Sequence, residues 1–84
     1  MKVDKELRSQ IFEIVENQIK INNPPETKLT YERLSQLGYS DFQVKQRIGQ
    51  SNNVEIIEIN KSGNPFNEKR YVSNLNKLPK EPFE

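Results

Sequence analysis

Eighty-four residues leave room for one domain, because a chain this short buries only a modest share of its surface and cannot divide into two independent cores. With 13 basic and 12 acidic residues and a net charge of +1, no long-range field draws polyanions or anionic lipid toward it. Cysteine and histidine are both absent, which excludes disulfides, thiolate chemistry, the ligands of most zinc sites and every Ser-His or Cys-His catalytic arrangement.

Hydrophobic residues make up 32% and charged residues 30%, so the core has to come from a few Leu, Ile, Val, Phe and Tyr side chains set on periodic faces. Residues 5–22 carry Leu7, Ile11, Ile14, Val15 and Ile19 at three- and four-residue steps. That spacing predicts an amphipathic helix with Asp4 as its N-cap and Glu16–Lys20 as an i,i+4 pair. Asn22-Asn23-Pro24-Pro25 ends it.

The second helix is expected to start with Asn23 or Thr27 as cap, since proline is tolerated in a first turn. Its inward residues are predicted to be Thr30, Leu34 and Leu37, with Tyr31 beside them. Gly38 then stands where a left-handed residue terminates a helix, and Tyr39 can reach back to Leu34 as in a Schellman ending. Ser40-Asp41-Phe42-Gln43 reads as a capping box, with Tyr39 and Val44 as its hydrophobic staple. Together these residues specify a tight helix-turn-helix corner at Gly38-Ser40.

The third helix carries Val44 and Ile48, passes the weak helix formers Gly49 to Asn53 and meets Val54-Glu55-Ile56-Ile57-Glu58-Ile59. That last stretch has strand-like composition, but a lone strand has no partner here. One long helix is expected, ending near Lys61 with Gly63 as terminator and with Ile56 and Ile59 continuing the face of Ile48. Asn67 is predicted to cap a final helix, Glu68 to Lys77, with Phe66 stapled on Tyr71 and with Tyr71, Val72 and Leu75 inward. The expected architecture is all-α: a compact bundle of about four helices over residues 1–79 and a tail at residues 80–84. No run is long and apolar enough for a transmembrane helix and the first residues lack a signal-peptide core, which predicts a cytoplasmic protein with no membrane contact.

Few residues suggest chemistry. Glu13 with Glu16, and Glu55 with Glu58, read as solvated helix faces rather than acid–base pairs, and no carboxylate set large enough for a metal converges; no metal and no cofactor are expected. Arg33, Arg70 and Tyr71 would make a small anion or peptide site if the second and fourth helices approach. Asn17 and Gln18 carry amides that can bond the backbone of a neighbouring helix end or bind a ligand, the structural role being expected. The corner from Thr30 to Ile48, with Gln43, Lys45, Gln46 and Arg47 on its second helix, has the rhythm of a DNA-reading motif, although Arg47 stands where an apolar residue usually packs.

Two resemblances bear on this reading. Ile14-Val15-Glu16-Asn17-Gln18-Ile19, then Pro24-Pro25, Arg33-Leu34, Gly38 and Ile48-Gly49 resemble an uncharacterised bacterial helical domain of unknown function. That resemblance implies helix throughout, including Val54 to Asn60. The histidines common in that family fall at Phe12, Phe42 and Gln46 here, so a histidine metal site is not available. Leu37-Gly38-Tyr39-Ser40 with Ser51 to Glu55 downstream resembles the ubiquitin-associated domain, in which such a loop contacts ubiquitin.

The expected function is a noncatalytic, protein-interaction helical module whose partner is another protein or a second copy, because more Ile, Phe and Tyr are present than one thin core needs. Its candidate binding residues are Phe12, Glu16, Asn17, Arg33, Tyr39, Phe42, Arg70 and Tyr71, with Phe12 and Phe42 the most informative. Nucleic-acid binding through the corner is the alternative, and an enzyme the third.

Overall fold

The computed structural model describes residues 5–79, with side chains from Arg8 onward; the predicted cap Asp4, the side chain of Leu7 and the tail 80–84 lie outside them. The four expected helices are present: α1 (Lys5–Ile21), α2 (Pro25–Gln36), α3 (Asp41–Ser62) and α4 (Glu68–Lys77). The long α3 packs on each of the other three, and α2 packs on α1 and α4. Val54 to Ile59 is helical, so no sheet forms there.

Local signals set the ends of these helices. At the corner, Gly38 takes φ 104°, a left-handed angle that costs glycine little and a Cβ-bearing residue much more. The Gly38 N–H reaches the Ser35 carbonyl (3.1 Å) and the Tyr39 N–H reaches Leu34 (3.3 Å), which is the Schellman pattern. Ser40 then opens α3 with both halves of the capping box: the Gln43 N–H donates to Ser40 Oγ (3.2 Å), and the Ser40 N–H donates to Gln43 Oε1 (3.0 Å). Because this cap satisfies two otherwise orphaned donors, Ser40→Ala is expected to destabilise the domain by about 1 kcal/mol. Urea unfolding followed by circular dichroism checks this through a lower midpoint at unchanged slope. Gly63 (φ 74°) ends α3 and the Asn67 side chain caps α4, as the sequence predicts.

The core is Val15 from α1, Leu34 from α2, Val44 and Ile48 from α3, and Tyr71, Leu75 and Leu78 from α4 and its end, with Ile19, Tyr31, Tyr39 and Val72 against it. Four expectations are corrected. The start of α2 has Pro24 at the N-cap with no side-chain cap, Pro25 leading the helix and Asn22 in a left-handed turn; Thr27 faces inward instead of capping. Leu37 is 62% exposed, because α2 ends at Gln36 and residue 37 belongs to the turn. Glu16 pairs with Lys45 across to α3 rather than with Lys20. On α3 the buried positions after Ile48 are Gly49, Ser51, Asn52 and Glu55, while Ile56 is half-buried, Ile57 is 52% exposed and Ile59 is 37% exposed.

Candidate functional site

Three groups of polar side chains are built into the fold, and they account for several of the candidate residues. The first joins all four helices. Gln18 on α1 and Asn52 on α3 exchange carboxamide bonds (3.1 and 3.2 Å). The Tyr71 hydroxyl donates to Gln18 Oε1 (3.0 Å) and accepts from Thr27 of α2 (2.7 Å), with Asn52 Nδ2 at 3.5 Å. A buried amide or hydroxyl is costly unless paired. Here each partner supplies what another lacks. Burial pushes the Tyr71 hydroxyl up to about 12, because the phenolate would have to form without water. Gln18 therefore has a structural role, but its partners are side chains of the other three helices rather than the backbone of a neighbouring helix end, and Asn17 is exposed.

The second group opens α4. In a capping box the third helical residue returns a carboxylate or amide to the N-cap N–H, but that position in α4 is Arg70, which can only donate. Glu55 of α3 takes the role from outside the helix. Its Oε1 accepts from the Asn67 N–H (2.9 Å) and from Arg70 Nη2 (2.9 Å), and its Oε2 accepts from Arg70 Nε (2.6 Å). Glu55 is fully buried while the Arg70 side chain is 38% exposed. Burial pushes the Glu55 carboxyl up, but the Arg70 guanidinium and the Asn67 N–H more than offset this, so it titrates below the ordinary carboxylate range. The expectation of a solvated Glu55 is thereby corrected: the beginning of α4 needs an acceptor, and this is it.

The third group closes α4. Arg33 donates to the carbonyls of Leu75 and Leu78 (both 2.9 Å), and Arg47 donates to Pro79 (2.9 Å) while lying 4.9 Å over the Tyr39 ring. Cationic donors at the last carbonyls of a helix complement its dipole. Arg33, Arg70 and Tyr71 are thus not brought together as an anion site: the two guanidiniums bind protein groups at opposite ends of α4, and Tyr71 lies in the core. Of the polar residues at the start of α3, Gln43 belongs to the capping box, Arg47 is held as described, and Lys45 bridges Glu16 (3.4 Å) and Asp41 (3.2 Å). Asp41 also accepts from the Tyr31 hydroxyl; that bond, together with Lys45, holds the Asp41 carboxyl below the usual carboxylate range, and the bond to Asp41 pushes the Tyr31 hydroxyl above its ordinary value.

What remains is the corner where α1 crosses α3. The helices approach closely at Gly49, where a Cβ would stand 2.7 Å from Ile11 Cγ2. Beside that crossing a cleft of about 270 Å³ opens between Arg8, Ile11 and Phe12 of α1 and Lys45, Gln46, Gly49, Gln50 and Asn53 of α3. At its edge Phe12 and Phe42 stack with ring centroids 5.4 Å apart and planes tilted by 48°. Phe12 is half-buried and Phe42 is 54% exposed. The sequence singled out both rings but offered no sign that they meet, since thirty residues separate them and their contact depends on the crossing. Gly49, Gln50 and Asn53 were missed altogether; the only hint was a glycine inside a helix, which often marks a close approach.

Among the described residues, no three Asp or Glu side chains are placed to hold a metal ion, and no helix is long and apolar enough to cross a membrane. Compared with protein-family models, with curated proteins and with solved structures, the chain matches none.

Proposed function

We propose that the chain is a noncatalytic protein-binding domain whose docking face is the α1/α3 corner. The observation that carries this reading is the Phe12–Phe42 pair, half in water at the edge of a cleft floored by Ile11 and Gly49. Single exposed hydrophobic residues are ordinary on a protein surface, and Leu29 or Leu37 need no explanation. An aromatic pair adjoining a concave apolar floor is different, because aromatic anchors in clefts supply most of the energy of protein interfaces. The two rings fix one another before any partner arrives, so little rotamer freedom remains to be lost on binding.

The other strongly placed polar groups support the same reading by elimination. Glu55 and Tyr71, the buried ionisable side chains, are fully engaged in holding helices together, and neither lines the cleft. For nucleic-acid binding, the side chains at the start of α3 would need to reach outward, yet Gln43 and Arg47 are each engaged within the fold.

Selection from a displayed random-peptide library against the folded chain tests the proposal. Selected peptides are expected to move the amide resonances of Ile11, Phe12, Phe42 and Gly49, and Phe42→Ser is expected to weaken them at least tenfold, about 1.4 kcal/mol. Circular dichroism should be unchanged, since an exposed side chain contributes little to folding. Peptides that map elsewhere, or that ignore Phe42→Ser, would overturn the reading.

A further inference from the structure

The chemistry of the cleft wall narrows the kind of partner, given the docking face proposed above. At about 270 Å³ the cleft falls below the range that encloses a cofactor or drug-sized molecule, and has room for a side chain or two of a polypeptide. Its floor, Ile11 and Gly49, is apolar, as is Phe12 at its edge. Its α3 wall carries three carboxamides, Gln46, Gln50 and Asn53, at the three- and four-residue steps that put them on one stripe. A carboxamide offers one acceptor and two donors side by side, which matches a peptide group. Gln50 Oε1 is buried and has no hydrogen-bond partner among the described residues, a costly state that an N–H donor would relieve. A helical partner has its own N–H groups engaged internally, whereas an extended one presents them.

Charge supplies the remaining selectivity. Among the described residues, the ionisable side chains lining the cleft are Arg8 and Lys45, with no carboxylate beside them in its lining. Lys45 is shared with Glu16 and Asp41, whose side chains are 59% and 62% exposed, so an incoming carboxylate would exchange with solvated ones. Arg8 forms no ion pair among the described residues. A carboxylate beside the inserted side chain therefore meets two cations, whereas an ammonium in the cleft meets the same two like charges.

We propose that the α1/α3 cleft binds an extended, acidic segment of a partner protein, seating one aliphatic or aromatic side chain on Ile11 and Gly49 while its main chain bonds the carboxamides of Gln46, Gln50 and Asn53 and its carboxylates face Arg8 and Lys45. This rests on the docking face itself, so the experiment is built to separate the two. Two short, blocked peptides with the same central leucine, one flanked by glutamates and one by lysines, are titrated into the 84-residue chain and followed by amide NMR. The glutamate peptide is expected to move Arg8, Phe12, Gln46, Gly49 and Gln50 and to bind about tenfold more tightly than the lysine peptide at low salt, a margin that two exposed ion pairs can supply. The margin should shrink as salt is raised, and Arg8→Glu should cancel or invert it. Gln50→Ala should weaken both peptides without changing their ratio. Equal binding of the two peptides, or preference for lysine, overturns the acidic segment and leaves the docking face standing. Shifts of the same amides on dilution of the chain alone would show that a second copy fills the cleft, and would overturn the proposal too. If neither peptide binds and the display-selected peptides map to other surfaces, the docking face falls with it.

Discussion

Tyr71→Ala is expected to destabilise the domain by about 4 kcal/mol, the range for deleting a buried aromatic ring from a packed core. A domain of this size commonly holds only some 5 kcal/mol or slightly more in reserve, so the variant should be close to unfolding at room temperature. Tyr71→Phe separates the ring from its hydroxyl. It keeps the packing against Leu34, Leu75 and Phe66 but leaves Thr27, Gln18 and Asn52 short of a partner, and should cost about 1 to 2 kcal/mol. The hydroxyl also has a pH signature. Its folded value is raised to about 12 from an ordinary 10.0, so the stabilisation it brings is complete below pH 10 and is lost as pH rises toward 12, by up to about 1.4 kcal/mol per pH unit. Tyr31 is shifted in the same direction and contributes equally to both proteins. The difference between wild type and Tyr71→Phe in urea midpoint should therefore narrow above pH 10. A gap that stays constant to pH 11.5 would show that the hydroxyl is not buried as described.

Removing the Glu55 side chain should be nearly as damaging. Glu55→Ala is expected to cost about 3 kcal/mol, since it breaks a buried pair and deprives the Asn67 N–H at the start of α4 of its acceptor. The pH dependence is the sharper test. In the native protein the Glu55 carboxyl titrates below its ordinary 4.5. Its contribution is therefore present above that value and lost as pH falls through the lower, folded one, giving a stability that declines in acid. In Arg70→Leu the carboxyl keeps its burial and loses its cation, which moves its titration upward instead, so that variant should gain stability as pH is lowered from 7 to 5. Parallel acid profiles for wild type and Arg70→Leu, measured by urea unfolding, would disprove the pairing.

Apart from the start of α2, the turns of this molecule were legible because each is decided within a few residues. Gly38 and Tyr39 end α2, Ser40 and Gln43 open α3, Asn67 opens α4, and Phe66 lies 5.4 Å from Tyr71, as their local spacing indicates. The inward face of α3 beyond Ile48 was not legible. Apolar periodicity favours Ile56 and Ile59, yet burial goes to Ser51, Asn52 and Glu55. Those polar residues face partners from other helices: Gln18 for Asn52, Arg70 and Asn67 for Glu55. A polar side chain can replace an aliphatic one in a core only when such a partner arrives, and its arrival depends on the bundle.

The same division runs through the candidate site. Phe12 and Phe42 could be marked as apolar residues in excess of one thin core, but their stacking and the cleft beside them exist only because α1 crosses α3 at a glycine. The arginines show it from the other side: Arg33 and Arg70, grouped in sequence reasoning as one anion site, bind opposite ends of the same helix. Sequence alone determined the four helices and the ends at Gly38, Ser40, Gly63 and Asn67, because caps and glycine stops act through bonds a few residues long. Only tertiary structure decided which side chains are buried, which charges pair and where a cleft opens, because those depend on groups from distant segments meeting at hydrogen-bonding distance.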